Sequence, residues 1–560
     1  MLRRLLSAQS QSVTAAAVLI GGLSLASRLL GVVRDRILAG QFGAGTQLDV
    51  YYAAFRIPDT MYNLVILGTI SAGLIPVFTS LLSRDQKDAA WRLIDNLFTV
   101  GALFLVALGG FLWLVMPSLV PLITPGFDQS SLASTIMLSR IMLLSPILMG
   151  ISAVAGAVLQ SHRRFLAFSL APIMYNVGII IGALLLAPVY GLVGLAWGVI
   201  LGALLHLIVQ SFPLTKIGYH FKPRLEFHNR DIRTVLLLMG PRTAALLVSQ
   251  LQLVAATIIA SALAAGSLAV YNLAINLQSF PLGLFSVSLA VAVLPVLASA
   301  AAKKDYEGLI TTLSSTIRQM WFFVVPAAVL LYVLRAHVVR VVLGSGNFDW
   351  VDTRLTAAIL GMFCLSMFAQ GVLPLLYRAF YALQNTKTPL LVGVVALVIN
   401  ISSIYGAYIL LGSDTWFRFT LTATLRVSDL IGVADVRVLA LPFGLLIASV
   451  VELLLLVVLL RRRLGRLDAR KLWASSWRIA TAAVGAGLCA YGTLQILGET
   501  IITETFLGIL LHGSVAGTVG MLSYVVFGYL LSVEELFIFA ASLRKKLFKQ
   551  AIASEAIATD

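Results

Sequence analysis

Nine arginines of this 560-residue chain lie inside apolar stretches long enough to cross a membrane. A charged side chain at the bilayer centre costs at least ~2.5–3.5 kcal/mol, and arginine stays protonated there because its pKa is above about 12. Such residues therefore indicate a wet cavity, an acidic partner or an anionic ligand. They are Arg28, Arg34, Arg36, Arg56, Arg140, Arg242, Arg318, Arg378 and Arg478, and the acids Asp35, Asp59, Asp95 and Glu452 share these stretches.

Residues 24–45, SLASRLLGVVRDRILAGQFGAG, carry the densest group of these charges. At about 100° per residue, Arg28 and Asp35 share a helix face, and Arg34 lies about 120° away. Either the charges neutralise one another locally, or Arg28 and Arg34 point into a central cavity where Asp35 holds one of them. In the second case their planar donor groups can bind phosphate oxygens bidentately, and Arg36 is structural.

Three further residues are candidates for the site. Arg56 lies three residues before Asp59 and either pairs with it along a helix or faces the cavity. Asp49 is expected at the outer rim, where a carboxylate is usually solvated. Arg242 follows Pro241 and either caps the carbonyl that proline frees or faces the cavity. The other arginines lie near helix ends and are expected to snorkel to the interface: Arg140, Arg318, Arg378 and Arg478.

The composition identifies the elements that must hold these residues. Hydrophobic residues make up 59% of the chain and charged residues 11%, with a mean hydropathy of +0.97. A soluble protein has about 25% charged residues, so the chain is a polytopic membrane protein. Its two cysteines support neither a disulfide framework nor a thiolate metal site.

Apolar runs of about 20 residues can cross the hydrocarbon core. The sequence contains fourteen, and the first could alternatively be a signal peptide. The runs are 13–36, 49–82, 93–121, 131–160, 165–188, 190–212, 233–262, 268–301, 309–334, 355–383, 389–411, 438–460, 473–497 and 505–532. Below, each is called a span and numbered in this order.

The loop charges predict the orientation. With the N-terminus inside, cytoplasmic segments carry 25 lysines and arginines and the outer loops six, as the positive-inside rule requires. Both termini are then cytoplasmic. This bias accounts for most of the formal charge of +16, so the basic composition does not indicate nucleic-acid binding.

Two pairs of similar segments indicate an internal duplication with an offset of six spans. Residues 159–176 match 383–400, so Asn176 corresponds to Asn400, and residues 74–85 match 293–305. An even offset predicts two lobes related by a pseudo-two-fold axis along the membrane normal, as in secondary transporters. The predicted fold is thus an all-α membrane protein with lobes 1–228 and 229–471 and a third unit, 472–560. His206 and Glu452 hold corresponding positions and make either a structural polar contact or a gating contact.

Enzyme signatures are missing: the sequence contains no GxxxxGK[ST], no HExxH and no aspartate-rich metal motif. We therefore predict a non-enzymatic transporter without cofactor or metal, driven by the membrane potential or an ion gradient.

The segments SRLLGVVRDRILAGQFGAG, LDVYYAAFRIPD, LIPVF and LQNTKTP resemble the MurJ/MviN family of bacterial lipid II flippases. That family belongs to the superfamily of MATE drug exporters and polysaccharide-lipid flippases. The resemblance implies alternating access in the bacterial cytoplasmic (inner) membrane, with the lipid II diphosphate in a cationic cavity. Spans 13 and 14 would form a groove for the polyprenyl tail, and cell-wall synthesis proteins are candidate partners. Family-important positions carry over to Arg28, Arg34, Asp35 and Asp49.

The chain departs from the family at two places. Tyr62 and Asn63 stand where many members have an arginine pair, and Asn276 stands before FPLG, 280–283, where they have an arginine. We hypothesise that Arg242 or Arg56 compensates, and we include Asn276 among the candidate substrate-binding residues. A polysaccharide-lipid flippase and a MATE-type cation-coupled drug exporter remain as alternatives, the latter disfavoured by nine arginines against four acids.

Overall fold

The computed structural model describes residues 13–67, 74–226, 230–498, 500, 505–542 and 544. This part of the chain is almost entirely helical, and its only β-type pairing is an isolated bridge between Ile431 and Ala434. The described residues of the fourteen predicted spans lie on helices. The all-α membrane architecture predicted from the composition is therefore confirmed.

Residues 534–542 are helical, and nineteen α-helices with assigned bounds precede them in the described chain. They are α1 (Val13–Phe42), α2 (Thr46–Met61), α3 (Ile75–Ser83), α4 (Lys87–Ile123), α5 (Gln129–Met142), α6 (Leu144–Ser161), α7 (Phe165–Ile181), α8 (Ala187–Ser211), α9 (Arg230–Ser261), α10 (Ser267–Pro281), α11 (Ser288–Ala302), α12 (Tyr306–Val333), α13 (Arg335–Leu343), α14 (Trp350–Ala382), α15 (Lys387–Gly412), α16 (Trp416–Leu425), α17 (Ala440–Leu464), α18 (Ala469–Gly498) and α19 (Phe506–Leu530).

Ten helical segments of the described chain are long and apolar enough to cross a membrane. One of them, 165–217, holds spans 5 and 6, which separate at Gly191, where φ is +58° and ψ −141°. Spans 1, 2 and 7 are not among these ten segments. Span 1 contains four charges, and residues 68–73 of span 2 lie outside the described chain. The total of fourteen crossings stays a prediction.

Side-chain caps fix several helix starts. Asp128 accepts a hydrogen bond from the Ser131 amide before α5, and Asp305 accepts one from Gly308 before α12. Asp349 and Asp352 form a capping box at the start of α14. Each cap satisfies amides that a helix start leaves unpaired, so the boundaries follow from local sequence.

Spans 2 and 8 share a distortion. Each contains a π-helical segment, Tyr62–Leu67 and Leu282–Val287, before its second α-helix. A third π-helical segment, Gly182–Leu186, lies in span 5. Matching distortions in spans 2 and 8 agree with the duplication that the sequence indicates.

The predicted unit boundaries stay predictions. The boundary at 228/229 lies outside the described residues. The one at 471/472 falls inside α18, which already begins at Ala469. Helix α18 packs against α19 and α12, so spans 13 and 14 attach to the body through span 9.

Candidate substrate site between the two halves

A polar network lies where α1 meets α7 and α10. The guanidinium of Arg34 donates from Nη2 and Nε to Oδ1 of Asp35, at 2.8 and 3.0 Å, and from Nη1 to Oδ1 of Asn176, at 3.1 Å. Asn276 Nδ2 donates to the other carboxylate oxygen of Asp35, at 3.0 Å. We call these four residues the central network.

The central network shows which arginine of α1 pairs with Asp35. Asp35 pairs with Arg34, its neighbour in sequence, and this carboxylate side chain is 7% exposed. Arg34 keeps a side-chain exposure of 23%, so it stays accessible while its orientation is fixed. Asp35 thus holds Arg34, and a role of this arginine in substrate binding stays a prediction.

Asn176 is a member of the network that sequence reasoning missed as a site residue. Its Nδ2 donates to the carbonyl of Pro172 at 3.1 Å, which turns Oδ1 toward Arg34. The only sequence signal was the match of Asn176 to Asn400 in the duplication.

Arg28 lies to one side of the central network and contacts the second half of the chain, the predicted lobe 229–471. Its guanidinium packs so closely on Gly283, the last residue of FPLG, that a Cβ at this position would collide with it. Arg28 forms no ion pair with Asp35 among the described residues. The local-neutralisation alternative is therefore wrong for Arg28.

Arg56 also turns toward the second half. Its Nη2 donates to Oδ1 of Asn272 at 3.3 Å, and no ion pair with Asp59 forms among the described contacts. Asp59 remains exposed and interacts electrostatically with both Arg56 and Arg34. Arg56 therefore hydrogen-bonds to Asn272 rather than to Asp59, and its role in substrate binding stays a prediction.

Asp49 is not a solvated rim carboxylate. It is 3% exposed and accepts the backbone amides of Gly266 and Ala269, both at 2.7 Å, at the start of α10. A helix N-terminus favours an anion there because its first amides lack partners. Asp49 therefore joins the two halves of the chain, and a role in substrate binding stays a prediction.

The ends of α1 and α2 continue this junction, which we call the closed face. Asn347 donates its amide to the Gly40 carbonyl at 2.8 Å and its side chain to the Gln41 carbonyl at 2.7 Å. The Ala44 amide donates to Asp352 at 3.0 Å. These contacts seal the two halves at the face where α1 ends.

The remaining candidates divide between described and undescribed parts. The side chain of Arg242 lies outside the described residues, so its proposed compensating role stays a prediction. Asn276, which replaces the family arginine, donates to Asp35. His206 contacts Ser152 at 2.7 Å and Glu452 bonds Tyr377, so each makes the structural polar contact within its own half.

A membrane bundle whose halves meet through buried and half-buried arginines has the architecture of a transporter with a midplane site. Solved structures with the same fold include a lipid II flippase MurJ in an inward closed conformation, with a TM-score of 0.69 and 20% identity over 92% of this chain and 98% of that one. An inward-facing multidrug resistance MATE family transporter of the MOP superfamily gives 0.61 and 13% over 80% and 98%.

The model of the family described as lipid II flippase MurJ matches residues 38–512, and this chain belongs to that family. A probable lipid II flippase MurJ of Rhizobium tropici is 29% identical over 392 residues, 68% of this chain and 73% of the relative. The lipid II flippase MurJ of Burkholderia cenocepacia is 28% identical over 400 residues, 69% and 76%.

Proposed function

We propose that this protein moves lipid II from the cytoplasmic to the outer leaflet of the bacterial cytoplasmic membrane by alternating access. The observation that carries the proposal is the immobilised Arg34, held by Asp35 and Asn176 while part of its guanidinium stays accessible. A fixed, desolvated guanidinium suits the oxygens of a diphosphate. Arg28, packed on Gly283 of the opposite half, supplies a second cation.

The same polar region would couple binding to movement. Asp35 contacts Asn276, and Arg56 contacts Asn272, so side chains beside the substrate cations also bridge the halves. A diphosphate that draws Arg34 away from Asp35 removes the cation that holds this carboxylate in place, and so loosens the bridge between Asp35 and Asn276. We infer that substrate binding in this way favours separation of the halves at the closed face.

The loop charges orient the closed face. Lysines and arginines concentrate at the opposite face, including six within 461–471. At the closed face, Arg354 and Arg437 are paired with Asp429 and Asp435. The positive-inside rule then places the closed face outward and both termini in the cytoplasm. The described structure would be shut toward the outside.

The proposal includes a driving force and partners. We propose that no cofactor is needed, that the membrane potential or an ion gradient drives the cycle, and that cell-wall synthesis proteins are partners. The likeness to MATE transporters concerns the fold alone, at 13% identity. A drug-exporter function would need a net acidic cavity, and the central network and its neighbours are cationic.

The test is replacement of the flippase in a depleted bacterium, with lipid II accessible outside the cell as the measurement. The wild-type chain should restore accessibility, and Arg28→Ala and Arg34→Ala should abolish it at equal membrane abundance. Arg418→Ala is the matched control because Arg418 of α16 pairs with Asp414 in the connection between spans 11 and 12 and is no part of the central network. Full activity of both cavity variants would assign these arginines a structural role.

A further inference from the structure

A groove on the membrane-facing side of the first half contains an unpaired cation. It is lined by Trp113 of α4, by α5 and α6, and by Trp197 of α8, and its volume is about 560 Å³. That volume is in the range of small-ligand sites. Four of its large apolar side chains are between 44% and 48% exposed, so the groove opens to the lipid: Trp113, Met137, Leu144 and Trp197.

Arg140 lies in this groove with its orientation fixed. The guanidinium carbon is 4.2 Å from the centre of the Trp113 ring, and Nε donates to the Trp113 carbonyl at 3.0 Å. Stacking on tryptophan holds the plane of the guanidinium. Its two terminal nitrogens make no hydrogen bond, and Arg140 makes no ion pair, within the described part of the chain.

The groove lies near the edge of the hydrocarbon core. Trp113 lies ten residues before the end of α4, and Arg140 eleven after the start of α5. At about 1.5 Å per residue both are roughly 15 Å below the closed face. Helix α4 is about 55 Å long; centred on the ~30 Å hydrocarbon core, it would pass the core by about 12 Å at each end, which puts both residues about 3 Å inside the hydrocarbon edge. The two tryptophans fit the interfacial aromatic belt.

We propose that this groove binds one anionic phospholipid, with the headgroup phosphate on Arg140 and the acyl chains along α5 and α6. Charge decides the occupant, because an unpaired guanidinium at the edge of the hydrocarbon is costly until an anion meets it. With the proposed orientation, the lipid comes from the outer leaflet. The site is separate from the central network, which involves α1, α7 and α10.

The experiment uses the purified full-length chain in neutral detergent and quenching of Trp113 fluorescence by brominated lipids. Subtracting the signal of Trp113→Phe isolates this residue among eight tryptophans. Brominated phosphatidylglycerol should quench at about tenfold lower concentration than brominated phosphatidylcholine, as one charge-assisted contact predicts. Arg140→Gln should remove that preference.

Arg478→Gln is the matched control, because Arg478 also lies near a tryptophan, 6.0 Å from the Trp477 ring, and donates to a carbonyl. It should keep the preference. Equal quenching by both lipids in the wild type, or an undiminished preference in Arg140→Gln, would overturn the proposal. The wild-type comparison does not depend on folding of any variant, and none of these measurements depends on lipid II transport.

Discussion

Arg34 shows how a charge in a membrane span is made usable. The carboxylate of Asp35 neutralises it on one side, and the neutral oxygen of Asn176 fixes the other amino group. Asp35 accepts from Nε and Nη2 and Asn176 accepts from Nη1, so one N–H on each terminal nitrogen is left for a ligand. A pair of charges buried without such an opening would be structural.

Replacing Asn176 with alanine should lower the affinity for lipid II about tenfold. A hydrogen bond to a charged group is worth ~1.5–3 kcal/mol, and each 1.4 kcal/mol is about tenfold in affinity. The measurement is lipid II binding to the purified protein. Asn400→Ala is the matched control, since Asn400 is the repeat-related residue and its buried Oδ1 has no hydrogen-bond donor. Equal losses in both variants would contradict a positioning role.

At the scale of elements, close contact of two helices depends on glycines. A Cβ at Gly198 of α8 would collide with the backbone of Gly182, and one at Gly202 would collide with the Tyr175 carbonyl. Small residues at such spacing let transmembrane helices approach closely. Span 5, which carries Asn176, is thereby held against span 6.

Gly198→Ala should destabilise the protein by about 1–3 kcal/mol, since the backbone it meets cannot yield. Gly110→Ala, where nothing lies within 4 Å, should be neutral or slightly stabilising. Thermal unfolding in detergent measures both. A midpoint for Gly198→Ala equal to that of Gly110→Ala would mean that spans 5 and 6 are farther apart than described.

Besides the packing against α12, a histidine pair joins α19 of span 14 to α13. His512 Nε2 must donate to the Leu494 carbonyl, at 3.0 Å, so its Nδ1 accepts from Nε2 of His337, also at 3.0 Å. His337 lies in α13, in the loop between spans 9 and 10. Burial, with a contribution from His512, lowers the pKa of His337 to about 4.

Acidification should therefore weaken this attachment. The unfolded histidine titrates near pH 6.5, so the stability that neutral His337 contributes is present above that pH and is lost as the pH falls toward 4. The unfolding midpoint of the wild type should drop between pH 7 and pH 5 by more than that of His337→Gln. Parallel curves for the two proteins would exclude His337 as the titrating group.

At the scale of the molecule, the halves form one closed junction along α1 and α2. It contains the Asp49 contacts to α10, the Ala44–Asp352 contact and the pairing of Gly40 with Asn347. Alternating access requires all of these contacts to break together. Locking any one of them should stop transport.

A disulfide between Gly40→Cys and Ser345→Cys should lock the closed face. A Cβ at Gly40 would be 3.5 Å from that of Ser345, a spacing suited to a disulfide. In a background without Cys364 and Cys489, oxidation should abolish lipid II exposure and reduction should restore it. Either single cysteine variant should be insensitive to oxidant. Full transport with the bond formed would show that this junction does not open.

Sequence reasoning determined the class of protein and the location of its cations. Composition alone excluded a soluble fold, because 11% charged residues cannot cover a soluble surface. Hydropathy located the spans, and the Arg28–Asp35 segment identified α1 as the helix of greatest interest. Hydropathy and charge spacing depend only on residues close together in the chain, so the sequence is enough to predict them.

Tertiary structure alone decided the partners of those charges. Asn176 is 142 residues from Arg34 and Asn276 is 241 from Asp35, so only the packing of α7 and α10 against α1 brings them together. Asp49 was expected at a solvated rim and is buried at a helix start instead. Helix periodicity predicts the face of the helix on which a residue lies. Which other helix packs against that face is determined by the fold of the whole chain.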